Sequence, residues 1–200
     1  MRKIDKLTPL LHFNGDNYKK DCRTWQCFHK KYKDVFEETR FQILVDEQKQ
    51  QCGYTEIYVN DERDTHIDHY VKQEYNQSLK FDWNNYIVAT KDNLFGANYK
   101  DNTYKIKQNE YPLIFNPIKD NVEEYFYYDE LGMLREDEGK VKKTIEIFNL
   151  NHELLIFKRK QLISLIEYFK NDGLSSLEIK SQLEEFGFKS LINQYCKEED

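Results

Sequence analysis

Long apolar runs are missing from this chain. None approaches the roughly 20 residues that a membrane-spanning helix needs, so no membrane association is expected. The opening residues, Met1-Arg2-Lys3-Ile4-Asp5-Lys6, contain no apolar h-region, so export is not expected and a cytoplasmic location is. Cysteine is scarce and poorly spaced. Cys22, Cys27, Cys52 and Cys196 include no C-x-x-C pair, so no standard zinc framework can be read, and reduced thiols are the default. With only three Pro and seven Gly, no low-complexity linker or internal repeat stands out. A basic excess is missing too. The formal net charge of −6 argues against a free-standing nucleic-acid binder, but it leaves room for a local basic groove or a partner that supplies one. Nucleophile elbow, P-loop and dinucleotide fingerprint are all absent.

Bulky aromatic material is plentiful. Aromatics make up 15% of the chain, hydrophobic residues 39% and charged residues 33%. This is enough for a sizeable core in one domain, or in one core domain with helical additions. Residues 1–16 read as an extended arm ending in the turn signal Asn14-Gly15-Asp16. Residues 17–50 read as helical, with Trp25, Phe28, Tyr32 and Phe36 at helical spacing. Lys19, Lys20, Lys30, Lys31 and Lys33 form a solvated face between them or, on a sharper reading, a basic face along a nucleic-acid backbone. A second helix is expected over about 36–49. From Cys52 the pattern alternates, and Cys52–Val71 reads as a β-hairpin. Trp83–Thr90 could begin a helix or a buried segment, and residues 92–109 read as loop or broken helix. Two strands are expected at 125–128 and 131–134. Helices are expected at 140–149, 151–170 (stopped by Asp172-Gly173) and 176–186, followed by a charged, fraying tail at 197–200.

The chemistry concentrates between Gln51 and Asn102, around Thr65-His66-Ile67-Asp68-His69-Tyr70. Two His and an Asp fall within four residues in a chain with five His. A one-metal phosphodiesterase needs a cation to neutralise developing charge, a base for water, and a polar residue to orient that base. His66 and Asp68 share a strand parity and can face one site. Asp68 and His69 are neighbours, which point to opposite faces of a regular strand, so they can act together only where the backbone bends or the strand ends. Asn85 could hold the loop carrying His69, Asn98 could complete the metal shell, and Lys100 could meet a phosphate. Oxygen and imidazole donors suit Mg²⁺ or Mn²⁺, with Zn²⁺ or Ni²⁺ as alternatives. The bland alternative is a set of strand-end polar residues and an Asn-rich loop. Structural zinc is not expected: Cys52 is one ligand type, but Thr55 stands where a C-x-x-C partner would be.

In order, the chain carries Met1-Arg2-Lys3-Ile4-Asp5-Lys6, Cys52-Gly53-Tyr54-Thr55-Glu56, His66-Ile67-Asp68-His69, Trp83-Asn84-Asn85-Tyr86 and Asn98-Tyr99-Lys100-Asp101. These are followed by Tyr111-Pro112-Leu113, Asn116-Pro117, Gly132, Thr144-Ile145, Leu150-Asn151 and Arg159. This succession, over about residues 1–165, resembles the HNH endonucleases that include the nuclease subunit of the Septu antiphage system (PtuB-like) and related nucleases encoded beside some retrons. The resemblance implies an α+β fold with a ββα-metal (HNH) core, an N-terminal helical arm and C-terminal helices. The corresponding segments are 1–50, 51–140 and 141–200. It implies a metal-dependent endonuclease acting in antiviral defence. Asp68 and Asn98 would be metal ligands, Asn93 competing with Asn98 for that place. His69 would be the general base, Asn85 the residue that orients its loop, His66 an accessory polar residue and Lys100 a phosphate contact. It implies a nucleic-acid substrate, DNA ahead of RNA, and an ABC/SMC-like ATPase partner. The departures are at the zinc knuckles. Thr55 replaces one Cys of the first pair, and Thr90 with Phe95 or Gly96 lies where the second pair would be. The rival reading is an HNH-like binding or regulatory subunit that has lost activity together with its cysteines.

Overall fold

The computed structural model describes residues 1–137 and 139–197, so the tail expected to fray lies, from residue 198 on, outside the described residues. The fold is α+β: mostly helical, with one two-stranded antiparallel sheet among the described residues. Strand β1 (Thr65–His69) pairs with β2 (Tyr86–Thr90), with Ile67 opposite Val88 and His69 opposite Tyr86. The sheet is buried on both faces. Ile67, Tyr86 and Val88 face an aromatic cluster built by the N-terminal segment, whereas Ile87 and Ala89 face the larger core made with the C-terminal helices. The free edge of β2 is capped. The Gln48 carboxamide accepts from the Val88 amide at 2.9 Å and donates to the Val88 carbonyl at 2.8 Å. One side chain thus does what a third strand would do for the unpaired backbone.

The expected helical stretch at 17–50 is broken into short pieces: α1 (Gly15–Asp21), α2 (Trp25–Lys31) and α3 (Lys33–Phe41), the last running on in wider turns over Gln42–Glu47. The breaks are local. Cys22 is extended, Thr24 caps α2 by accepting from the Cys27 amide at 3.1 Å, and Tyr32 leaves the helical region at ψ 47°. Ser/Thr caps stabilise a helix start because they satisfy an otherwise orphaned amide. Each restart turns the aromatic stripe, so Tyr18, Trp25, Phe28 and Phe36 converge on one cluster.

The expected Cys52–Val71 hairpin does not form. Residues 52–57 make a tight turn instead, in which Glu56 donates its amide to the Cys52 carbonyl and itself sits at φ 61°. The alternation at 54–59 has no counterpart in burial, since Tyr54, Thr55 and Glu56 are buried in succession. The Glu56 carboxylate is buried, 2.8 Å from the Met1 ammonium, and accepts from the Ser190 amide and hydroxyl. Burial opposes its charge, yet Met1 and Ser190 hold it down to about 2. The partner of β1 is therefore β2, in the segment that the sequence left open between helix and buried stretch.

After β2 comes the short helix α4 (Gly96–Asn98), continued by π-type turns over Tyr99–Tyr104. The two strands expected at 125–128 and 131–134 reduce to a single bridge, Tyr128 to Leu134, around a turn at Asp129–Gly132. The C-terminal helices are α5 (Lys140–Phe148), α6 (Glu153–Asn171), α7 (Ser176–Gln182) and α8 (Lys189–Tyr195). In α6, Leu155, Arg159, Leu162, Ile163 and Ile166 form the buried stripe, whereas Leu154 lies outside it, 45% exposed. No described helix is long and apolar enough to cross a membrane.

The 129–132 turn seats on α6 through Gly132. Its φ is +83°, and a β-carbon there would sit 2.8 Å from the Ile156 carbonyl oxygen and the Lys160 nitrogen. Backbone cannot yield as a flexible side chain can. Gly132→Ala is therefore expected to destabilise the protein by roughly 2 kcal/mol, the left-handed penalty plus the clash. Urea denaturation of the variant against the parent checks this.

Candidate functional site at the sheet and α4

His66 and Asp68 lie on one face of β1 and His69 on the other, because successive strand residues alternate and β1 keeps regular pairing through His69. The sheet therefore separates the two residues that a metal-and-base mechanism needs together. Asp68 faces the larger core. Its carboxylate accepts from the Tyr54 hydroxyl and lies 3.2 Å from the Lys100 ammonium. The Lys100 side chain is 0% exposed and that of Asp68 6%. Lys100 also lies 3.0 Å from Asp101 and donates to the Tyr70 carbonyl at 3.4 Å, and Lys72 lies 3.7 Å from the same Asp101 oxygen. The result is an alternating chain of charge, Asp68–Lys100–Asp101–Lys72. Burial works against the Lys100 ammonium, but Asp68 and Asp101 together outweigh it and raise its pKa. Asp101 is pushed up to about 6 by burial and then by the charge of Asp68, against the pull of Lys100 and Lys72. Tyr54 is held well above the usual phenol range by burial and by Asp68, and its ring stacks on Phe148 at 4.5 Å.

His69 faces the aromatic cluster. Its Nε2 lies 2.8 Å from the Lys80 carbonyl oxygen and its Nδ1 lies 3.3 Å from the Gln73 amide nitrogen. A carbonyl can only accept, so Nε2 carries the proton, and Nδ1 accepts from Gln73. Trp25 and Tyr86 meet the ring edge-on at 4.6 and 5.1 Å. Burial lowers the His69 pKa, with the Lys80 contact and Asp68 pulling the other way, so the ring is neutral at pH 7. His66 is half-buried and also lowered by burial, against the pull of Asp68.

Asn85 is buried at the turn into β2 and clamps the segment that follows β1. Its Oδ1 accepts from the Val71 amide at 2.9 Å, and its Nδ2 donates to the carbonyls of Val71 at 3.0 Å and Leu79 at 3.3 Å. Asn98 does not join Asp68. It donates to the Lys91 carbonyl at 3.0 Å, and it is Lys100, two residues further along, that reaches the carboxylate. The donor set does not fit a divalent ion in this arrangement. Asp68 already receives an ammonium and a hydroxyl, and among the described residues no group of three or more His, Cys, Asp or Glu is placed to hold a metal.

No family model matches the chain, and no curated protein matches it.

The positions where the resemblance puts a zinc frame nevertheless meet in space. The Thr90 hydroxyl lies 3.8 Å from the Cys52 sulfur, and a β-carbon on Gly96 would lie 3.6 Å from Thr55 Cγ2. Sequence reading put Lys100 on a phosphate, whereas the structure buries it against Asp68. Tyr54, Asp101, Trp25, Gln73 and Lys80 were not expected at the site. Tyr54 and Asp101 stand inside the quoted motifs, and an acidic neighbour of Lys100 was the available signal. Trp25 and Lys80 come from distant or loop positions and gave none.

Proposed function

We propose that this chain is an HNH-like subunit without catalytic activity of its own, a binding and regulatory component of an antiphage complex with an ABC/SMC-like ATPase. The observation that carries it is the buried Asp68–Lys100 ion pair, on the face of β1 opposite His69. An ammonium there supplies the positive charge that a cation would supply, but it offers no open coordination position for a phosphate oxygen or water. The order β1, Asn85, β2, α4 and the meeting of Cys52, Thr55, Thr90 and Gly96 support descent from an HNH scaffold. The ATPase partner and a nucleic-acid ligand, DNA ahead of RNA, rest on the resemblance alone.

A second reading, a metal-dependent HNH endonuclease, is favoured by the frame around His69. Its Nε2 proton is fixed on Lys80, its Nδ1 holds a lone pair, and Asn85 orients the loop. That reading requires Lys100 to vacate Asp68 and the end of β1 to bend. The two separate in one assay. The chain is incubated with Mg²⁺ or Mn²⁺ and labelled single- and double-stranded DNA and RNA, alone and with a co-expressed ATPase encoded beside it. Cleavage no faster than that of a His69→Ala variant is expected. Metal-dependent cleavage that His69→Ala abolishes would overturn the proposal in favour of the nuclease.

A further inference from the structure

We infer that Cys22 and Cys27 form a thiol–disulfide site, closed by a low-molecular-weight disulfide. The inference is independent of the HNH reading. The two residues meet because α1 ends in an extended Cys22 and α2 restarts at once from the Thr24 cap. That cap bonds the Cys27 amide and turns its side chain back, so the Cys27 sulfur lies 3.9 Å from the Asp21 carbonyl oxygen, on the peptide group that leads into Cys22. Both thiols are free. Their exposures divide the roles. Cys27 is half-buried and Cys22 is 1% exposed. The other two cysteines, Cys52 and Cys196, are also free and are buried, at 1% and 0%.

The exchange balances with oxidised glutathione as the disulfide. The Cys27 thiolate attacks one glutathione sulfur, the glutathione S–S bond breaks, and one glutathione thiol leaves. Cys22 then loses its proton and attacks the Cys27 sulfur of the mixed disulfide, releasing the second glutathione. The protein is oxidised by two electrons and the glutathione disulfide is reduced to two thiols. Burial, with Cys27 second, pushes the Cys22 thiol up to about 11, which leaves the first attack to the more exposed Cys27. The ring so closed contains Trp25, whose indole packs on His69 at 4.6 Å, so oxidation staples the loop that covers that imidazole.

Trypsin makes the test direct, because Arg23 lies between the two cysteines. The folded chain is titrated with oxidised glutathione, alkylated, digested and mapped before and after reduction. The expected product is two hydrogens lighter than the parent, with the Asp21–Arg23 and Thr24–Lys30 peptides joined until reduced. Cys22→Ser is expected to stop at the mixed disulfide on Cys27, and Cys27→Ser to remain unmodified at Cys22. Circular dichroism checks that both variants are folded. The proposal is overturned by a stable glutathione adduct on Cys27 of the parent chain, by a bridge to Cys52 or Cys196, or by no reaction at either thiol.

Discussion

Lys100→Met is expected to cost about 3–5 kcal/mol of stability at pH 7, the typical penalty for removing one partner of a buried ion pair. Met conserves most of the side-chain volume, so the loss reports charge rather than a cavity. Without the ammonium, Asp68 and Asp101 are two carboxylates turned toward one buried space, with only Lys72 beside Asp101. The pH dependence follows from linkage. In the parent, Asp101 is raised from 3.8 to about 6, so the folded chain holds that proton more tightly than the unfolded chain does. Such a carboxyl loses stability as pH rises through the window from about 4 to about 6 and contributes none of that penalty below it. Removing Lys100 takes away a charge that holds Asp101 down, so Asp101 rises further and the variant's deficit should shrink as pH falls toward 4. Urea denaturation of the two proteins at pH 7 and pH 4.5 reads this directly. A deficit that stays constant or grows on acidification would show that Lys100 contributes packing and not charge. The double variant Asp68→Asn with Lys100→Met should recover much of the loss. Mn²⁺ gives a further readout: strong stabilisation of Lys100→Met by Mn²⁺, a gain that grows with the logarithm of free metal, would mean that the position still accepts a cation and would favour the nuclease reading.

The helices of the C-terminal third were legible because their signals are local. Glu153–Asn171 carries its apolar stripe at helical spacing and ends on Asp172-Gly173, as read. Missing from that reading was α8 (Lys189–Tyr195), which is short and held by Ser190 on the distant Glu56. The strand pairing was misread for a related reason. Tyr54–Val59 alternates as a strand should, but the segment forms a turn whose Glu56 is fixed by Met1 and Ser190, and no local rule carries that contact. At the site, the residue types were legible and their placement only partly so. Parity put His66 and Asp68 on one face, and it gave the warning that His69 would face away unless β1 bent. The pairing of His69 with Tyr86 removes that bend. The place of Asn98 could not be decided from spacing, because a wider-than-α turn over 99–104 shifts which side chain the helix delivers to Asp68.

Asn85→Ala tests the clamp on which both functional readings depend. The side chain is 3% exposed and satisfies three backbone groups: the Val71 amide, the Val71 carbonyl and the Leu79 carbonyl. Truncation leaves these groups without their partner in a place with little water to replace it. The expected cost is about 2–4 kcal/mol, since an unsatisfied buried backbone group costs about 1–3 kcal/mol and the Leu79 contact is long. Asn84→Ala, one residue away on an exposed side chain, should stay within about 0.5 kcal/mol. Asn85→Asp should be at least as damaging as Asn85→Ala at pH 7. It keeps the acceptor for the Val71 amide but turns a carboxylate on two carbonyl oxygens, and protonation in acid, which restores one donor, should recover part of the loss. The segment between Val71 and Lys80 carries the carbonyl that fixes His69. Slack there should release the imidazole, so the hydrogen-bonded Nε2 proton of His69, expected to be visible in the parent, should be lost from the NMR spectrum of Asn85→Ala while Tyr70, whose amide bonds the Asn85 backbone, stays protected. Retention of the Nε2 signal in a destabilised variant would separate the two roles, leaving Asn85 a fold residue with no hold on His69.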